Sequence, residues 1–329
     1  MTHPREMFAY EGGEGQEAAF ASALARGRLH HAWLLTGPEG VGKATFAYRA
    51  ARRLLGAGAV GEAGHLDADP DDPVSRQIAA RSHPDLLVLE LETPDGKARR
   101  NIPVDEARLL PEFFSKAPAS APFRVAIIDT ADDLNVNAAN AVLKTLEEPP
   151  ERGVLFLISS SPGRLLPTIR SRCRRLAFAP WSDERVTAFL RERGVASEHD
   201  ADLLARMARG APGKAMTLAA EGAIDIDHAA REILRDLPGR DDKVLLGLAD
   251  GFRGGEGARR FELLFERLAA QIHDMAHRGA MSGETAGLDR WAAVWEQLVR
   301  VPREAEGLNL DRADAFWSMM AQLRDAARA

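Results

Sequence analysis

The short apolar run Leu34-Leu35-Thr36 passes directly into Gly37-Pro38-Glu39-Gly40-Val41-Gly42-Lys43-Ala44-Thr45. A strand, a glycine turn and a helix in that order leave the backbone N–H groups of the turn free to converge on phosphate oxygens, with a lysine charge beside them. His31–Thr36 reads as the strand, and Phe46, Ala47, Ala50, Ala51, Leu54 and Leu55 give the helical spacing that must follow it. The segment predicts a phosphate-binding loop with Gly37, Gly40, Gly42 and Lys43 as candidate nucleotide-binding residues.

One residue departs from the hydrolytic form of this loop. A Ser or Thr hydroxyl directly after the lysine ligates magnesium, and here that position is Ala44. Thr45 follows, but adjacent helical residues point about 100° apart, so it is expected to reach the α-phosphate side and not the metal. The run Arg124-Val125-Ala126-Ile127-Ile128-Asp129 supplies the strand and first acid of the second phosphate-site element, with Asp129 as a further candidate; the next position, where a glutamate base stands in hydrolysing relatives of this loop, is Thr130. Asp132 and Asp133 lie past the strand end, where such residues cap or turn the chain. Two losses on the hydrolytic side beside an intact binding loop predict a site that holds nucleotide weakly at most and does not turn it over.

Composition excludes several classes. The 329 residues suffice for two or three domains, each with its own core, and 45% hydrophobic with 28% charged residues is a globular balance. The single Cys173 excludes an intramolecular disulfide and a cysteine-rich zinc site, which suits a reducing compartment and predicts a cytoplasmic protein. None of the nine histidines is read as half of a metal-ligand pair at helical spacing, and no metal site is expected. No apolar run reaches the ~20 residues of a membrane span, and the start Met1-Thr2-His3-Pro4-Arg5-Glu6 lacks a signal-peptide core. A net charge of −6 argues against a protein that binds DNA over its whole surface.

Strand-like runs at Trp33–Thr36, Leu86–Leu91, Arg124–Asp129, Val154–Ser159 and Arg175–Phe178 alternate with helical segments, the pattern of a parallel α/β sheet. Asn135–Glu148 carries a stripe at Ala138, Ala141, Val142, Thr145 and Leu146, opened by Asn135 or Asn137 and stopped by Pro149-Pro150. Residues 56–84 read as a loop or weakly helical excursion with no assignable function. After Pro180 the strands stop. Trp181–Gly194, Asp200–Arg209 and a segment opened by Gly210–Lys214 read as a small helical lid, and from about residue 223 the pattern is helical throughout. Phe261, Leu264, Phe265, Leu268, Ile272 and Met275 form one stripe there; Leu288, Trp291, Trp295 and Leu298 a second; Leu310, Ala313, Phe316, Trp317, Met320 and Leu323 a third, all read as bundle core. The expected architecture is an α/β P-loop domain at 1–178, a helical lid at 179–222 and an all-α domain at 223–329.

Two further elements bear on chemistry. Leu155–Ser161 is a strand ending in hydroxyls, so Ser159 and Ser160 are candidate readers of a γ-phosphate, although serine runs after strands are also turn formers. Ser171-Arg172-Cys173 sits among Arg164, Arg170, Arg174 and Arg175. This is either a solvated basic edge or an arginine finger aimed at a neighbour's ATP.

The ordered set Gly37–Thr45, Ser82-His83-Pro84-Asp85, Ile128-Asp129, Asn140–Pro150 and Ser171-Arg172-Cys173 resembles the clamp-loader AAA+ ATPases, and among them the bacterial DNA polymerase III delta-prime type. The resemblance covers the first ~220 residues by motif order, with the rest consistent with a helical collar for oligomerisation. It implies a five-subunit loader that opens a sliding clamp and places it on primed DNA, with partners of the tau/gamma and delta types. It also implies a subunit that does not turn over ATP itself and whose Arg172 acts on the adjacent motor's ATP, Lys214 falling at the second sensor and Ser159 or Ser160 at the first. Catalysis of polymerisation would then belong to the holoenzyme. The four-cysteine zinc module of some such subunits cannot form here, since the chain has one cysteine. The alternative is an active motor of the tau/gamma type in which Asp132 or Asp133 and water restore the metal site.

Overall fold

The computed structural model describes residues 2–61, 65–91, 101–237, 242–283 and 287–328. It divides into two compact units, Met1–Met216 and Thr217–Ala329.

The first unit is built on five strands: β1 (Ala32–Thr36), β2 (Leu86–Glu90), β3 (Arg124–Asp129), β4 (Gly153–Ser159) and β5 (Arg174–Ala177). They form one sheet in the order β2-β3-β4-β1-β5, and every pairing is parallel. Each strand lies within one residue of its expected bounds. β1 and β4 are buried along their whole length, and β3 along all but its last residue. That is why they read as continuous apolar runs and not as alternating ones. The edge strands β2 and β5 are only partly covered.

Helices on the faces carry the rest of this unit: α1 (Glu14–Ala25), α2 (Lys43–Leu54), α3 (Pro73–Ala79), α4 (Val104–Ala107), α5 (Leu109–Ser115), α6 (Val136–Glu147) and α7 (Pro167–Ser171), then α8 (Asp183–Glu192), α9 (Glu198–Ala208) and α10 (Pro212–Ala220), in which the division between the units falls. α6 starts where the sequence places it because the Asn135 side chain accepts the Ala138 N–H at 2.9 Å, an N-cap in the usual geometry. Its buried stripe is Ala138, Ala139, Val142, Thr145 and Leu146, and Ala141 is only half-buried. The 56–84 stretch holds α3, capped by Asp72 through the Val74 N–H, and an antiparallel bridge between Ala59 and Ala68; residues 62–64 lie outside the described residues.

The second unit comprises α11 (Ala223–Arg235), α12 (Asp242–Asp250), α13 (Gly254–Ser282), α14 (Leu288–Gly307) and α15 (Arg312–Arg328). Phe252 packs edge-on against Phe261 and Phe316, each at 5.3 Å between centroids. The first stripe is core as expected through Ile272, while Met275 is half-buried. The second stripe departs from expectation. α14 buries Val294, Leu298 and Ala305, whereas Trp291 is half-buried and Trp295 is 38% exposed. The third stripe buries Phe316, Met320 and Leu323, adds Met319, and leaves Leu310 at the surface.

Candidate functional site

Parallel pairing brings the carboxyl ends of the strands to one edge. Thr36 is in register with Ser159, and Glu90 with Asp129. This is the edge of an open α/β sheet at which ligands bind. The glycine turn leaves β1 there and runs into α2. Gly37, Gly40 and Gly42 have φ of +148°, +77° and +98°, conformations that side-chain-bearing residues rarely adopt. At two of them space as well as φ demands glycine. A Cβ on Gly37 would stand 2.3 Å from the Phe178 carbonyl oxygen, and one on Gly40 would stand 2.4 Å from the Lys214 backbone nitrogen. The Gly213 N–H donates to the Gly40 carbonyl at 2.8 Å, so the first turn of α10 is seated on the loop and Lys214 lies beside it.

Lys43, the first residue of α2, is 4% exposed. Its ammonium donates to the Gly37 carbonyl at 2.7 Å, to the Pro38 carbonyl at 2.7 Å and to Ser160 Oγ at 3.0 Å, one acceptor for each proton. Burial brings its pKa down to about 8, against the attraction of Asp129, Glu39 and Asp132. Asp129 is pushed up to about 6, first by burial and then by Glu90, with Lys43 opposing. The lysine and the first acid thus influence each other electrostatically, while the ammonium's three hydrogen bonds go to Gly37, Pro38 and Ser160.

The positions that a hydrolytic site needs are arranged otherwise. Ala44 offers no oxygen. The Thr45 hydroxyl donates to Met7 Sδ at 3.8 Å, so it is directed at the N-terminal segment, which α2 also holds through Arg49 and Arg52. Arg52 donates to the Met7 carbonyl at 3.2 Å and its guanidinium lies 4.1 Å from the Phe8 ring centroid. The Thr130 hydroxyl hydrogen-bonds the Asp133 carboxylate. Asp132 accepts from Ser159 Oγ at 2.6 Å, from the Ser160 N–H at 2.6 Å and from the Ser161 N–H at 3.0 Å. Its carboxylate closes the end of β4, a distant segment, and does not cap or turn its own stretch of chain. Ser159 is therefore engaged by Asp132, and Ser160 by Lys43. The donor set, with Ala44 in the hydroxyl position and Thr130 in the glutamate position, does not fit a magnesium–nucleotide poised for hydrolysis.

Arg172 lies on the surface, as the C-cap of α7. Its side chain is 37% exposed; Nη2 is 3.1 Å from Glu147 Oε1, and Nη1 donates to the Thr168 carbonyl at 3.2 Å. Two neighbouring arginines serve the sheet instead. Arg174 lies 5.0 Å from the Trp33 ring centroid, and Arg175 Nε donates to Thr36 Oγ1 at 2.9 Å.

Two features escape the sequence reading. Asp85, the last residue of Ser82-His83-Pro84-Asp85, is fully buried; its carboxylate accepts the Ala119, Ser120 and Ala121 N–H groups at 2.8, 3.0 and 3.1 Å and stands 3.4 Å from Arg124 Nε. An acid between a proline and a long apolar strand is the only local hint of this. His273 and His277 lie one helical turn apart on α13, and their rings stack at 6.5 Å. Among the described residues no group of three or more His, Cys, Asp or Glu side chains gathers around a common point that could hold a metal ion.

A family model described as DNA polymerase III, delta subunit, matches residues 13–182. The DNA polymerase III subunit delta' of Pseudomonas aeruginosa is 41% identical over 163 residues, 48% of this chain and 46% of that protein. The Escherichia coli subunit delta' is 35% identical over 195 residues, 58% of this chain and 55% of that one. The E. coli subunit tau is 32% identical over 277 residues, 80% and 40% of the two chains. The chain spans about half the length of the curated relatives it matches. Among solved structures, a DNA polymerase III gamma-subunit-related protein of Thermotoga maritima aligns with 93% of this chain and 99% of its own at 19% identity and a TM-score of 0.43. On the match across 13–182, the chain belongs to the DNA polymerase III delta-subunit family, and relatives named delta' are among those it resembles.

Proposed function

We propose that the chain is a delta-prime subunit of a clamp loader that does not itself hydrolyse ATP and that lends Arg172 to the ATP of an adjacent motor subunit. The observation that carries the reading is the pairing of a fully formed glycine loop with a hydrolytic side that has no hydroxyl at Ala44, no carboxylate at Thr130 and a Thr45 hydroxyl turned toward Met7. Gly37, Gly40, Gly42 and Lys43 form that loop, Ser160 and Lys214 touch it, Asp129 and Ser159 end the neighbouring strands, and Thr45 follows on α2; in this reading they hold ATP or ADP weakly or not at all, because the ammonium already has three acceptors. Arg172, by contrast, is at the surface, where a planar, permanently charged guanidinium reaches a neighbouring phosphate.

The partners in this reading are tau/gamma-type motors and a delta subunit, met through the α/β and C-terminal helical units. The sliding clamp and primed DNA are reached through the complex. No described helix is long and apolar enough to cross a membrane. With its single cysteine and its likeness to bacterial DNA polymerase III subunits, the chain is read as cytoplasmic. Identity to E. coli tau across 80% of the chain favours one second reading, an active motor. Steady-state ATP hydrolysis by the purified chain with magnesium and primed DNA separates the two. The stationary subunit gives no turnover, and turnover abolished by Lys43→Ala makes the chain a motor.

A further inference from the structure

The two sequence blocks that identify this chain best, Leu143–Pro150 and Ser171-Arg172-Cys173, are more than 20 residues apart, and the structure joins them at a single ion pair. Glu147 is the last residue of α6, which is pinned to the core through Leu146 at 3% exposure. Arg172 caps α7, which is pinned through the fully buried Ile169. Both side chains stand on rigid supports and only their tips meet, Nη2 to Oε1 at 3.1 Å, with Glu147 52% exposed. An exposed pair of this kind adds little to folding, so its contribution lies elsewhere. A guanidinium has five N–H groups in a fixed fork. Glu147 holds one terminal nitrogen of it and the Thr168 carbonyl the other, while the side chain stays 37% exposed.

We propose that Glu147 is a positioning residue for Arg172, holding the guanidinium oriented before a neighbouring subunit's phosphates arrive. The inference rests on the arginine-finger reading above. A free arginine must surrender its rotamer freedom when it docks, whereas a tethered one has already done so. The tether also commits Glu147 to a role that its hydrogen-bonding oxygen performs, and an amide oxygen has the same reach.

The test is DNA-stimulated ATP turnover by the reconstituted clamp-loader complex carrying Glu147→Ala, Glu147→Gln, Arg172→Ala or Glu147→Ala/Arg172→Ala in this subunit. Thermal melts of each variant beside wild type confirm folding, which these exposed positions do not endanger. Glu147→Ala is expected to lower kcat at the served site by up to about 10²-fold with little change in KM for ATP, the scale of a catalytic group misplaced by an ångström. Glu147→Gln restores most of the rate, and Glu147→Ala adds nothing once Arg172 is gone. A Glu147→Ala complex at or above wild-type turnover overturns the positioning role, as does an equal loss in the Arg172→Ala background. If Arg172→Ala itself leaves turnover unchanged, the finger reading falls first and this one with it.

Discussion

Replacing Asp85 with asparagine should be among the most damaging single-atom changes available to the α/β unit. The carboxylate is completely buried, with Oδ1 taking the Ala119 N–H and Oδ2 taking both the Ser120 and Ala121 N–H groups. Asparagine keeps one acceptor and places an NH₂ against at least one of those donors, whichever way it is flipped. It also leaves Arg124, 8% exposed, without its counter-charge. Hydrogen bonds to a charged group contribute about 1.5–3 kcal/mol each, and breaking a buried pair costs about 3–5 kcal/mol, so Asp85→Asn is expected to lose roughly 3–5 kcal/mol at pH 7. The pH dependence follows from the direction of the shift. Burial alone would raise the Asp85 pKa, but the three N–H groups and Arg124 outweigh it and hold the carboxyl below its usual range. A depressed folded pKa contributes stability that is complete above the unfolded value, about 3.9, and is lost as pH falls through the folded one. The gap between wild type and variant should therefore be constant from pH 6 to 8 and narrow in acid. Urea unfolding measures the gap, and hydrogen exchange locates it, because the amides of residues 119–121 should lose protection first. A loss under about 1 kcal/mol, or unchanged protection at those amides, would refute the assignment of Asp85 as the anchor of this loop.

Gly40→Ala should destabilise the chain by about 2–4 kcal/mol, combining the left-handed strain of φ +77° with a Cβ set against the Lys214 backbone; thermal unfolding measures it, and an unchanged melt would mean that α10 does not rest on the loop. Ala44→Ser alone should not create an ATPase, since Thr130 still supplies no base and Thr45 still faces Met7; appreciable steady-state turnover in that variant would show that hydrolysis does not need a glutamate at position 130.

Much of this was legible where the signal is local. The central strands announce themselves as apolar runs because both faces are covered. The glycine loop is written as a motif, and Asn135 sits where a cap is needed. What the chain does not write is which distant segments meet. Nothing in the apolar runs says that β4 inserts between β1 and β3, yet that insertion carries Ser160 to Lys43 and Ser159 to Asp132. Asp85 is addressed to amides some 35 residues onward, as the separations of 34, 35 and 36 positions record, and no periodicity carries such information. On α14 the spacing of Trp291 and Trp295 equals that of Val294 and Leu298. Periodicity permits either face to be buried, and packing against the neighbouring helices chose the second.

The central claim is that this chain stands still and supplies Arg172 to another subunit's site. The measurement that tests it most directly is ATP turnover by the complete complex in the presence of primed DNA and clamp, with Arg172→Ala in this chain alone. Loss of a finger costs on the order of 10³ or more at the site it serves, so total turnover should fall by the whole share of that site while the variant still assembles and melts like wild type. Turnover and clamp loading at wild-type rates would contradict the account.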